Sequence, residues 1–367
     1  MSEIRIAAGR NYGMDLLKII TMFLIVVFHF SDHGTVTTTP QMPLTLNWAA
    51  LAIARIFGAI GNCIFMFISG YFLCEKNYRT KRLAVLWLQV FFYSILCRII
   101  TIAMGLDPLG IKIVLKTLFP VFFQRYWYFS AYVIILIASP FLNIILKKLT
   151  KKQHFWLCVI MLTLFAVVPT IFKGTWLGGQ IGNENYLKSF IALYITAGYV
   201  KFYGIGKIKK RSVYLWVALG IMLFEILSVF AVKLVDVKFN KDLSMFHFTW
   251  GMDRINVVIV SVCLFMWFKG LQIKGGKLIA LLSGSSFGVY LLHLGTWKIC
   301  FGMLFDSAAT YDTPWLIPQM LGSAVLIYLA AILTDQVRIY LVEKPFIKLF
   351  DKLKWPGKVD ALFDNLV

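Results

Sequence analysis

Acidic residues are scarce in this chain: 17 Asp and Glu stand against 37 Lys and Arg in 367 residues, and all charged types together make up 15%. So small a charged fraction, beside 60% apolar residues and a mean hydropathy of +0.78, excludes an ordinary soluble enzyme and marks a polytopic membrane protein. Paired cysteines are missing too. Cys63, Cys74, Cys97, Cys158, Cys263 and Cys300 all fall in or beside apolar runs, with no CxxC among them. They read as small core residues, not as disulfides or metal ligands. No stretch rich in Pro, Gly or Ser separates domains, and no internal repeat points to an inverted-repeat transporter. No GxGxxG run or P-loop cradles a nucleotide and no HExxH holds zinc. Any chemistry must therefore be assembled from scattered groups on different helices.

What is present is a succession of apolar runs. Ten spans are expected, near 14–31, 49–74, 83–104, 126–146, 154–172, 187–203, 212–235, 249–268, 278–305 and 316–341. The segments between them alternate in charge. Lys76, Arg79, Lys81 and Arg82 fill one connection and Lys147, Lys148, Lys151 and Lys152 another, while 32–48 and 306–315 hold no Lys or Arg. The positive-inside rule then places both termini in the cytoplasm. This topology also explains the net charge of +20 without nucleic acid, since the basic residues lack the aromatic interleaving of a nucleic-acid platform. The N-terminal MSEIRIAAGRN is polar and no small-residue cleavage site follows a short apolar core, so the first span is expected to be retained. In 105–125 the apolar IKIVLKTLFPVFF is expected to lie along the interface or re-enter the membrane.

The first span, near 14–31, opens within RNYGMDLLKIITMFLIVVFHF and carries Asp15, Lys18 and His29. Asp15 and Lys18 share a face at its entry. His29 follows eleven residues after Lys18, roughly 16 Å along a helix and about half of a ~30 Å hydrocarbon core. An intramembrane histidine is a functional hypothesis, set against a histidine wetted at a helix end. Arg79 and Arg82, three apart with Lys76 and Lys81 beside them, serve topology or anionic lipid, or hold the phosphates of a bulky anionic donor through the planar arginine fork. Arg125 and Tyr126, Trp127 and Tyr128 open the fourth span as an aromatic belt would. His293 lies inside the ninth, where it needs a partner. Asp335 and Arg338 have the spacing of a neutralising helical pair, and Glu225, Lys233, Arg254 and Lys298 are further embedded or boundary charges.

A basic residue, ten residues and then His29, with FMFISGYFL, Arg79-x-x-Arg82, WYFSAYVIILIASPFLNIILKK, SSFGVYLLH and VEKPF following in order, together resemble the integral-membrane acyltransferase family three over nearly the whole chain. The resemblance implies an all-α, ten-helix, multi-pass protein of a bacterial plasma membrane, a single domain over 1–367. Its implied activity is acyl transfer, usually of acetyl from acetyl-CoA, onto a hydroxyl of an extracytoplasmic or lipid-linked polysaccharide such as capsule or exopolysaccharide. Membrane lipid is the remaining expected partner, and neither a metal nor nucleic acid is expected. His29 corresponds to the family's catalytic histidine, and Arg79 and Arg82 to its paired inner arginines. Lys18 stands where the family usually has arginine, keeping the charge without the bidentate fork. Lys18, Arg79 and Arg82 are the donor-binding candidates, and Trp127, Tyr128 and His293 the substrate-binding or supporting ones. The rival class is a secondary transporter with intramembrane His and Arg as proton or substrate sites. A glycan polymerase is disfavoured by the shortness of the outer loops.

Overall fold

A segment surrounded by hydrocarbon must satisfy its backbone N–H and C=O groups internally, and a helix does so within one run of residues. In the computed structural model, which describes residues 10–172, 186–206, 210–240 and 243–366, the regular elements are all helical. They are α1 (Tyr12–Asp32), α2 (Leu46–Ala54), α3 (Phe57–Leu73), α4 (Thr80–Ala103), α5 (Ile111–Leu118) and α6 (Trp127–Lys148), then α7 (Lys151–Ile171). There follow α8 (Tyr186–Tyr203), α9 (Ser212–Phe239), α10 (Ile255–Lys269), α11 (Lys277–Gly284), α12 (Ser286–Gly295), α13 (Leu316–Arg338), α14 (Lys344–Phe350) and α15 (Trp355–Leu366). Among the described residues, eight helical stretches are long and apolar enough to cross a membrane. The sixth and eighth expected spans correspond to the shorter helices α8 and α10. The expected connection 173–186 falls outside the described residues, apart from Tyr186.

Several spans are interrupted. The second is two helices, α2 and α3, separated at Arg55 and Ile56, and the ninth is α11 and α12, offset at Ser285. The apolar part of 105–125 forms the short helix α5, with Leu109 and Ile111 about four-fifths exposed, as an element lying on a lipid interface would be. Beyond the last span, α13 runs through a π-helical turn at Ile339–Glu343 into α14, and α15 folds back onto the start of α4.

α1 is the axis of the bundle. Asn11 caps it by accepting from the Met14 amide at 3.0 Å. Leu17, Val26 and Phe30 are fully buried, with Leu17 in one apolar cluster and Val26 and Phe30 in a second. Without a hydrophobic force between helices in lipid, close backbone approach provides the packing. A Cβ on Gly61 would come within 2.6 Å of Ile25, and one on Gly70 within 3.1 Å of the Tyr194 Cα. These glycines let α3 lie against α1 and α8.

Side-chain bonds gather the connections at two ends. At one, Asn143 donates to Leu73 and Lys76 carbonyls, Lys201 pairs with Glu75 at 3.0 Å, and Asn11 donates to the Lys269 carbonyl. This is the end where the Lys/Arg-rich segments meet. At the other, Arg55 pairs with Asp32, Asn47 donates to Tyr311 and Thr313 carbonyls, and Lys233 donates to Pro40 and Met42 carbonyls.

Candidate functional site

His29 lies in the last turn of α1. α1 ends three residues later, at Asp32, where the apolar run gives way to polar residues. The ring is nevertheless enclosed. It lines a cavity of about 310 Å³ together with Phe28, Asp32, His33, Arg55, Asn62, Arg125, Trp127, Tyr186, Trp250, Tyr290 and Trp297, among others. Aromatic faces dominate the wall, and Trp127 lies 4.5 Å from Tyr186, ring to ring.

The hydrogen bonds around His29 decide its tautomer. His293, fully buried on α12, places Nδ1 2.6 Å from the Val289 carbonyl. A carbonyl only accepts, so in neutral His293 the proton is on Nδ1 and Nε2 is an acceptor. That Nε2 lies 3.1 Å from His29 Nδ1, which is also 2.9 Å from the Ile25 carbonyl. Both neighbours accept, so neutral His29 carries its proton on Nδ1 and its Nε2 holds the free lone pair. His29 is thus set as a base by its surroundings, with His293 fixing the ring as a second group orients a catalytic imidazole.

One helical turn outward, His33 has its ring 4.9 Å from that of His29. Its Nδ1 is 3.4 Å from Asp32 Oδ2, and Asp32 is held by Arg55 at 2.7 Å. Arg55 is fixed in turn over the Phe246 and Trp250 rings. Burial holds His33 below the ordinary histidine range, against the opposing pull of Asp32.

At the basic end a cleft of about 500 Å³ is lined by Arg79, Lys81, Arg82, Val85, Leu86 and Tyr132. Arg82 donates to the Tyr132 hydroxyl at 3.2 Å. Arg79 NH1 donates to both carboxylate oxygens of Asp364 on α15, at 2.9 and 2.8 Å. Lys81 meets Asp351 at 2.7 Å, and the Thr80 amide and hydroxyl both donate to Asp360 at 2.7 Å. Arg79 holds the Asp364 carboxyl below the usual carboxylate range. Between cleft and cavity stand tyrosines. Tyr132 lines the cleft and Tyr290 the cavity, while Tyr128 lies 6.1 Å from Tyr290, ring to ring. The hydroxyl of Tyr128 is buried without a hydrogen-bond partner.

The sequence candidates are therefore divided between two places. His29, His293 and Trp127 meet at the cavity, Arg79 and Arg82 at the cleft, and Tyr128 in between. Lys18 joins neither lining. It sits 3.9 Å from Asp15, which is bound more closely by Arg10 at 2.5 Å and by Ser283 at 2.7 Å. Asp32, His33, Arg55, Trp250 and Trp297 were not read as site residues in the sequence. For Arg55 the signal was there, a charge inside the second apolar run. The spacing Gly284-Ser285-Ser286-Phe287-Gly288 also matches a nucleophile elbow, but Ser286 is buried against Tyr328 at 2.9 Å and stands on no strand-to-helix turn. Among the described residues no group of three or more His, Cys, Asp or Glu is placed to hold a metal ion.

A family model described as an acyltransferase domain, the third of its kind, matches residues 11–334. The chain belongs to that acyltransferase family. No curated protein and no solved structure matches it. As a multi-pass membrane acyltransferase it requires an acyl donor and an acceptor. The family match takes in both histidines and both cleft arginines and stops before α14 and α15.

Proposed function

We propose that this acyltransferase moves an acetyl group from cytoplasmic acetyl-CoA to a hydroxyl of an extracytoplasmic or lipid-linked polysaccharide, working as one domain in a bacterial plasma membrane with both termini inside. The observation that carries the reading is the pairing of a basic cleft at one end with an aromatic, histidine-bearing cavity at the other, with tyrosines between them. Phosphates of the donor suit the cleft, where Arg79, Lys81 and Arg82 offer charge-assisted hydrogen bonds. The partnerless Tyr128 hydroxyl suits an amide of a pantetheine arm, because a buried polar group is costly until paired. Aromatic rings around His29 suit the apolar faces of a sugar.

In the transfer, His29 Nε2 accepts the proton of the acceptor hydroxyl as its oxygen attacks the thioester carbonyl carbon. The carbon–sulfur bond then breaks, and the departing thiolate takes that proton back from His29. Base and acid are one imidazole, so no net proton is consumed. Arg125, which lines the cavity and hydrogen-bonds Ser94 at 2.9 Å, places positive charge where the carbonyl oxygen becomes negative.

The test uses membranes containing the protein and radiolabelled acetyl-CoA. Label should pass into the polysaccharide or lipid-linked sugar fraction, with free CoA released in equal amount, and both should stop in His29→Ala. Label transfer that persists in that variant overturns the assignment of the base. CoA-independent transfer overturns the donor.

A further inference from the structure

α1 does not deliver one histidine to the cavity but two, a single turn apart on the same face, and the second has a support system of its own. His33 follows His29 by four residues, and side chains at that spacing lie one above the other. Both rings line the cavity. His33 is about one-third exposed, so it is open to a ligand, and its ring lies 5.4 Å from that of Trp297. Asp32 faces Nδ1 at 3.4 Å. A carboxylate there favours the proton on Nδ1 and leaves Nε2 as the accepting nitrogen. Arg55 anchors that carboxylate at 2.7 Å, and Arg55 itself is set at the break between α2 and α3. A guanidinium placed inside an apolar span is expensive and marks a functional element. Here what it holds is the Asp32–His33 pair.

The geometry points to His33 as an acceptor-side positioning residue, whose Nε2 accepts a hydrogen bond from a second hydroxyl of the sugar while His29 takes the proton from the first. The acceptor class is then a sugar with two neighbouring hydroxyls. This rests on the reading of His29 as the transfer base. His29 alone would fix one oxygen and leave the ring free to turn about it. A second histidine one turn away fixes the rotation and so chooses which hydroxyl reacts. Arg55 and Asp32 act through His33 and do not themselves meet the reacting atoms.

The experiment compares His29→Ala, His33→Ala, His33→Gln and Asp32→Asn in membranes carrying the natural acceptor, with radiolabelled acetyl-CoA as probe. The position of the acetyl group in the isolated glycan is read by NMR. Misplacing a reactant by about 1 Å costs on the order of 10²-fold. His33→Ala should therefore lower transfer ~10- to 100-fold at an unchanged half-saturating acetyl-CoA concentration, and its residual product should carry acetyl on more than one hydroxyl. His33→Gln, which keeps an accepting oxygen, should recover part of the rate and the single position. Asp32→Asn should fall between them. Wild-type rate and a single position in His33→Ala, with transfer abolished in His29→Ala, would overturn the inference and leave the transfer reading intact. Wild-type transfer in His29→Ala would remove that reading instead. A raised acetyl-CoA requirement in His33→Ala would also count against an acceptor-side role.

Discussion

The two ends of this molecule hold ionisable groups by opposite means. At the histidine end, His29 and His293 are enclosed, bonded to one another and to backbone carbonyls, and the neutral form of each carries its proton on Nδ1. At the basic end, Arg79 is about half exposed and its partner Asp364 lies on a surface helix. In a low dielectric a fixed hydrogen bond decides protonation and orientation, whereas exposed ion pairs contribute little and exchange readily with solvent and ligand. The first arrangement suits proton transfer at one atom. The second suits a charged donor that must arrive and leave.

The comparison is tested most severely at His29. His29→Ala should fold and insert, since it leaves a small apolar residue in a partly buried place, but acetyl transfer should fall at least 10²- to 10⁴-fold, the range of general base catalysis. A loss below tenfold would show that the enclosed end does not carry the chemistry. His293→Ala comes next. It removes the side-chain acceptor for His29 Nδ1–H, leaving only the Ile25 carbonyl and an unsupported ring, so the rate should drop by about 10²-fold with the acetyl-CoA requirement unchanged. His293→Gln keeps an accepting oxygen and should restore part of it. At the other end, Arg82→Ala removes a charge-assisted phosphate contact worth ~1.5–3 kcal/mol, so titration should show acetyl-CoA affinity falling ~10- to 100-fold with the chemical step intact. Arg79→Ala should do less, because its guanidinium is already shared with Asp364. The smallest effect is reserved for Asp364→Asn, which frees Arg79 and should tighten acetyl-CoA binding a few-fold. Weaker binding there would show that the carboxylate positions Arg79 for the donor.

The fold was legible because each lipid-facing helix declares itself through a long apolar run, and the basic connections alternate with nearly uncharged ones. What hydropathy averages away are the breaks. Arg55 vanished into the second run because twenty apolar neighbours outweigh one guanidinium, although it was the best local sign that two helices meet there. His33 was read as loop because the apolar run stops at Phe30, but α1 continues to Asp32 and carries the His33 ring into the cavity. The association of His29 with His293, 264 positions apart in sequence, follows only from packing α12 against α1. Lys18 is a different case. The resemblance implies a donor-binding role for it, while its neighbours in the structure form a cluster around Asp15 that no sequence period relates to the cleft.

The C-terminal helix has a practical bearing on how the enzyme should be handled. α15 is clipped beside the basic cleft by Asp360 and Asp364, with Phe363 lying 4.4 Å from Tyr78, ring to ring. A purification tag or fluorescent reporter joined behind it would pull on the same clip that occupies Arg79. Assays on such fusions would report a cleft affinity belonging partly to the tag. Cutting the chain before Trp355 would offer relatives and variants a common, unobstructed cleft for comparison, since the family match has already ended by then.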